Sequence, residues 1–171
     1  MLFGASVGSA IALNLDKINT ILPNITASDE TAALFVLGGL IGGIFPDIDN
    51  EKSYTAKLTV PVSTVICGIS EMFGRKGKNH RGIFHDPLIY IIGLYLSLLY
   101  LPALVGVFIG CLSHIFLDIF NPAGVPFLFG ITRLRLMGIQ SGSKAAVVFT
   151  YISSAVVLAA GIFTCLNLRI I

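Results

Sequence analysis

Apolar residues fall in long runs along this chain, and the polar residues collect where the runs end. Five runs can be delimited, at residues 2–15, 32–46, 87–101, 103–120 and 145–167. Each is read as a helix that crosses or enters a bilayer. Several are shorter than the ~20 residues that span a membrane, so they extend into their flanks, tilt or re-enter. A further apolar stretch, Val60 to Phe73, lies within the long polar region 47–86 and is read as an interfacial or re-entrant helix. The expected fold is all-α. It is a polytopic membrane bundle of four to five transmembrane or re-entrant helices, plus an interfacial helix, in one domain over residues 1–171.

Small residues recur at a spacing that suits this fold. Gly4 and Gly8, Gly38 and Gly42, Gly39 and Gly43, and Gly106 and Gly110 are each four apart. Glycine pairs at that spacing let helix backbones approach closely in lipid, which favours a compact bundle.

Composition supports the membrane setting. The chain is 55% hydrophobic and 12% charged, whereas soluble domains are about a quarter charged. Its mean hydropathy is +0.89. A net charge of +2, with no basic run interleaved with aromatics, gives no nucleic-acid surface. Cys67, Cys111 and Cys165 are widely separated and read as buried small hydrophobes rather than a disulfide or zinc framework.

The charges are distributed unevenly. If all five runs cross, loops 47–86 and 121–144 share one face. That face carries nine cations (Lys52, Lys57, Arg75, Lys76, Lys78, Arg81, Arg133, Arg135 and Lys144), against Lys17 and Arg169 on the other. The positive-inside bias makes it cytoplasmic, in the cell (inner) membrane. The cluster Arg75, Lys76, Lys78 and Arg81 either sets this topology or meets lipid or substrate phosphate.

The same topology gathers the chain's unusual chemistry. All three histidines stand beside carboxylates at the ends of apolar runs, in Phe45-Pro-Asp-Ile-Asp49, His80-Arg-Gly-Ile-Phe-His-Asp86 and Ser113-His-Ile-Phe-Leu-Asp118. Polar groups so placed cost several kcal/mol unless paired, hydrated or metal-bound. Two crossings return the chain to the same face, so the three motifs meet at one depth. His114 and Asp118 lie one helical turn apart on one face. Pro46 disfavours helix at Phe45, which predicts a break that turns Asp47 and Asp49 inward. Asp86 and Pro87 have the form of a helix cap and first residue.

Together the motifs hold three histidines, His80, His85 and His114, and three or four carboxylates, Asp47, Asp49 and Asp118 with or without Asp86, enough for one or two divalent ions. Mixed nitrogen and oxygen donors suit Zn²⁺, Mn²⁺ or Fe²⁺ better than Ca²⁺. Such a site activates water for hydrolysis, with a neighbouring carboxylate taking the proton. The candidate catalytic side chains are Asp86, which reads as a cap before a catalyst, and Arg81, which equally meets an anionic oxygen or bonds backbone carbonyls.

The three motifs, in this order, resemble those of the YdjM family of inner-membrane, metal-dependent hydrolases. The matching stretches are Leu40 to Ser53 with Pro-Asp-Ile-Asp at its centre, His80-Arg-Gly-Ile-Phe-His-Asp86, and Gly110-Cys-Leu-Ser-His-Ile-Phe-Leu-Asp-Ile-Phe-Asn-Pro-Ala-Gly-Val-Pro126. The resemblance covers about residues 35 to 145. It implies a helical membrane protein whose metal-dependent hydrolase site is carried by Asp47, Asp49, His80, His85, His114 and Asp118. A more distant likeness to phospholipase C-type zinc enzymes suggests phosphoester substrates. The chain departs from the family pattern at Phe84 and Asp86, where the family has Thr and Ser, and at Asn121, where it has Thr.

The leading expectation is hydrolysis of a phosphoester or ester, lipid substrates included, at the cytoplasmic interface, with membrane lipids as partners. Two alternatives use the same residues: a small transporter or metal-handling protein, and a scaffold whose His–Asp pairs only tie helices together. Transporters usually carry inverted repeats, and none is visible here.

Overall fold

In the computed structural model, residues 1–49, 64–65, 83–136, 138–140 and 142–167 are described. The chain is an all-α membrane bundle with one small hairpin. Among the described residues its α-helices are α1 (Leu2–Ala12), α2 (Leu15–Ile21), α3 (Asp29–Gly42), α4 (Pro87–Tyr100), α5 (Val105–Asp118) and α6 (Lys144–Asn167). Among the same residues, two segments are long and apolar enough to cross a membrane, Asp29–Ile48 and Lys144–Leu166. The shorter apolar helices α1, α4 and α5 pack with them.

Each predicted run coincides with a helix within a few residues. Helix α3 begins earlier than its apolar run because Ser28 caps it, accepting from the Thr31 N–H at 3.2 Å. Asp29 and Glu30 follow in the first turn, where the helix dipole favours negative charge. The predicted interfacial helix from Val60 to Phe73 lies almost wholly outside the described residues.

Backbone proximity organises the bundle. A Cβ placed on Gly38 would sit 2.8 Å from backbone atoms of Gly106 and Val107, and one on Gly110 would sit 2.6 Å from the Gly39 carbonyl. These contacts run in the same chain direction, so α3 and α5 are parallel neighbours. Gly4 and Gly8 approach Gly39 and Phe35 in the opposite order, which makes α1 antiparallel to α3. In lipid there is no hydrophobic drive between helices, and such close packing supplies the attraction instead. At the far end, Asn14 donates to Ala10 O at 2.9 Å and to Gly161 O at 3.0 Å, tying α1 to α6.

Large apolar side chains point outward. Tyr95 on α4 and Tyr151 and Phe163 on α6 are mostly exposed, as expected of lipid-facing helices. The sequence pattern did not anticipate β1 (Val125–Phe127) and β2 (Thr132–Leu134), an antiparallel pair with Val125 opposite Leu134.

The helix directions place the ends of α3 and α5 and the starts of α4 and α6 at one end of the bundle. All described parts of the three motifs are gathered there.

Candidate metal centre

Helix α3 stops where Pro46 approaches. The chain tightens into a 3-10 turn, Phe45–Asp49, with Pro46 and Ile48 buried. A proline cannot continue the donor ladder and disfavours helix at the preceding residue. The turn brings Asp47 to the end of α5. From the other side a second 3-10 turn, Ile83–His85, delivers His85. Helix α5 contributes His114 and Asp118, one turn apart.

The four side chains face one another as two imidazoles and two carboxylates. His85 Nε2 lies 3.6 Å from Asp47 Oδ1 and 3.7 Å from Asp118 Oδ2. His114 Nε2 lies 3.7 Å and 3.6 Å from the same two oxygens. These gaps exceed the roughly 2.7–3.2 Å of an N–H···O hydrogen bond. They are close to the separation of donors around one small cation. Tetrahedral zinc with bonds of ~2.1 Å places its ligands about 3.4 Å apart. One ligand atom each from Asp47, His85 and His114 falls within 4.8 Å of the others, so these three form a group that could hold an ion, and Asp118 faces the same two imidazoles.

The His114 ring is oriented from behind. Its Nδ1 lies 2.8 Å from the Gly43 carbonyl, which can only accept. The proton therefore sits on Nδ1, and Nε2 is the ring nitrogen that faces the carboxylates. Metal-bound histidines are held in this manner, with the second ring nitrogen donating to a carbonyl or carboxylate. His85 is buried, His114 and Asp118 are half-buried, and Asp47 is the most open of the four.

Asp86 does not join this group. It is completely buried. One oxygen accepts from the Leu88 N–H at 3.0 Å, capping α4, with Pro87 as its first residue. The other accepts from the Phe129 N–H in the hairpin turn. Both oxygens are thus engaged by backbone, the behaviour of a structural residue rather than a proton acceptor for substrate. Next to it, the Tyr90 hydroxyl donates to Phe84 O at 2.7 Å and steadies the turn that carries His85. Candidate ligand His80 and candidate catalytic residue Arg81 lie outside the described residues, and Asp49 is described only in its backbone.

A cavity of about 200 Å³ adjoins His114 and Asp118. Its walls include Leu117, Phe120, Ile139 and Phe149, with polar Asn121 and Thr150 and with Met1 at its edge. Neither this cavity nor the Gly43 carbonyl had a sequence signal. The first is a gap between α5 and α6, and the second is main chain.

A helical membrane bundle that gathers histidines and carboxylates at one end defines a class, and comparison with known proteins supplies the family. The chain matches the family described as YdjM inner membrane protein over residues 1–169, and it belongs to that family. It is 35% identical over 112 residues to the inner membrane protein YdjM of Escherichia coli (strain K12), covering 59% of this chain and 53% of that protein. The YdjM of Shigella flexneri gives the same figures, 35% over 112 residues. The uncharacterized protein YvsG of Bacillus subtilis (strain 168) is 31% identical over 107 residues, 60% of this chain and 62% of that protein. The matched region thus covers less than two thirds of the length of these relatives. No solved structure matches the chain.

Proposed function

We propose that the protein is a membrane-bound, metal-dependent hydrolase of phosphoesters or esters, lipids among them, at the cytoplasmic interface. The observation that carries this proposal is the convergence of Asp47, His85, His114 and Asp118 at 3.6–3.7 Å, too far for hydrogen bonds and well spaced for an ion. A divalent ion there would polarise the substrate oxygen and acidify water at neutral pH.

The chain's own residues do the rest. His85 and His114 would supply nitrogen donors, and the Gly43 carbonyl holds a proton on His114 Nδ1. Asp47, partly open to solvent, would hold the ion through one oxygen and offer the other to a proton from attacking water. Arg81 would meet an anionic oxygen of the substrate, and Asp49 and His80 would complete the donor set for a second ion. The apolar cavity beside His114 and Asp118 would receive the hydrocarbon part of the substrate. The charge bias counted along the sequence supports a cytoplasmic placement.

The test is turnover by the full chain reconstituted in phospholipid vesicles. Released products are followed by mass spectrometry, with bis(p-nitrophenyl) phosphate as a soluble probe. Hydrolysis that is removed by chelator, restored by Zn²⁺ or Mn²⁺ and lost in His114→Ala supports the proposal. Metal uptake into the vesicles without hydrolysis would replace it with a transport role. Neither activity in metal-loaded protein would leave a scaffold.

A further inference from the structure

The hairpin at residues 125–134 is explained by neither the metal centre nor the bundle packing. Its base is fixed to the end of α5, where Leu136 N–H donates to Ile119 O and Ile139 N–H to Phe120 O, both at 2.9 Å. These bonds use carbonyls that a helix end leaves without intrahelical partners. Val125 is fully buried against Tyr90, Cys111 and Ile115. Cys111 and Ile115 lie within the last two turns of α5, so the hairpin sits beside the bundle about 5–10 Å inside its end. The strand therefore lies alongside the bundle rather than beyond its end.

The tip itself is apolar and outward-facing. Phe129 is 62% exposed and Ile131 80% exposed, with Leu128 also open. Leu128 and Phe129 both have positive φ, 54° and 56°. Such a backbone is unfavourable for residues with side chains and persists only where the surroundings impose it. Here the fully buried Asp86 imposes it by accepting from Phe129 N–H. Behind the tip, Arg133 donates to Ala123 O at 3.0 Å and Arg135 to Pro122 O at 3.2 Å, and both side chains remain exposed. On α4, Ile91, Ile92 and Tyr95 are exposed as well.

We propose that this hairpin is an interfacial anchor for an anionic lipid bilayer: Phe129 and Ile131 enter the acyl boundary, and Arg133 and Arg135 meet the headgroup phosphates. Apolar side chains backed by cations bind an anionic interface through both buried area and charge. The buried Asp86 is the seat of the anchor, which gives that carboxylate a role separate from chemistry at the metal. The anchor does not depend on whether the protein hydrolyses anything.

The chain contains no tryptophan, so Phe129→Trp introduces a single reporter. The full-length variant is reconstituted in vesicles of phosphatidylcholine and phosphatidylglycerol that carry bromine at defined acyl depths. A separate variant, Ile92→Trp, on the exposed face of α4, serves as the lipid-contact reference and reports that the bundle has folded. Emission at 129 should be blue-shifted and quenched several-fold more by bromine near the headgroup than by bromine near the bilayer centre. Replacing Arg133 and Arg135 with Gln should remove the dependence of that quenching on phosphatidylglycerol content. Emission at 129 that is quenched by aqueous acrylamide and untouched by bromolipid, while the Ile92→Trp reference is quenched normally by bromolipid, overturns the proposal. Protection from both quenchers that appears only at high protein-to-lipid ratio also overturns it, and identifies a second copy of the chain as the occupant.

Discussion

The Nδ1 atom of His114 lies 2.8 Å from the carbonyl oxygen of Gly43, joining α5 to the residue that follows α3. This bond holds a proton on Nδ1, and Nε2 is the ring nitrogen that faces Asp47 and Asp118. Nitrogen NMR of histidine-labelled protein should show one ring with a protonated Nδ1 and an unprotonated Nε2. Adding Cd²⁺ should shift the Nε2 signal and leave Nδ1 protonated. A protonated Nε2 that cadmium does not displace would contradict the assignment.

Since the carbonyl and the ring sit on different helices, the contact between α3 and α5 controls the site. Gly38→Ala would put a methyl 2.8 Å from the Gly106 backbone. Overpacking of this kind costs about 1–3 kcal/mol. Thermal unfolding in detergent should register that loss, and Zn²⁺ affinity should fall by about tenfold although no ligand is changed. Gly138→Ala, where nothing lies within 4 Å, should change neither.

The fold was largely legible because lipid imposes a simple rule: helices must be apolar, and polar groups must be gathered at their ends. The apolar runs therefore coincide with α1, α3, α4, α5 and α6, and the glycine pairs at 38/42 and 106/110 mark where α3 meets α5. Pro46 announced the break before Asp47, and Asp86-Pro87 announced the start of α4. The hairpin was not legible. Its strands are three residues each, and its turn uses Leu128 and Phe129, which are not turn formers, at positive φ. The bond from Phe129 N–H to Asp86, with the turn bond from Ile131 N–H to Leu128 O, holds that conformation. With the cap at Leu88, it engages both oxygens of Asp86.

Asp86 supplies a direct contrast with the candidate metal ligands. Asp86→Ala would remove a helix cap and leave the Phe129 N–H without its carboxylate, for a loss of about 2–4 kcal/mol. Calorimetry should show this destabilisation while the metal content of the folded protein stays the same. Loss of metal at unchanged stability would instead place Asp86 among the ligands.

If the cavity beside Asp118 receives a hydrocarbon chain, filling it should alter substrate preference. Ala146→Phe narrows the space near Phe149 and Thr150. Turnover of long-chain lipid should drop well below that of bis(p-nitrophenyl) phosphate, with the bound metal unchanged. An equal drop for both substrates would mean that the cavity is not a substrate channel.

The membrane orientation can be read with single cysteines in a background lacking the native three. Gln140 stands at the metal-centre end and Thr20 at the opposite end, and both are exposed. An impermeant maleimide should label Thr20→Cys in intact cells and Gln140→Cys only after permeabilisation. The reverse pattern would put the site outside.

The central claim is that Asp47, His85, His114 and Asp118 hold a metal ion. Its most direct test is elemental analysis of the full chain, purified in mild detergent without chelator and without a histidine tag. The account predicts at least one zinc, manganese or iron per chain, lost in both His114→Ala and Asp47→Ala. Folded wild-type protein that carries no transition metal and takes none up on reconstitution would contradict it.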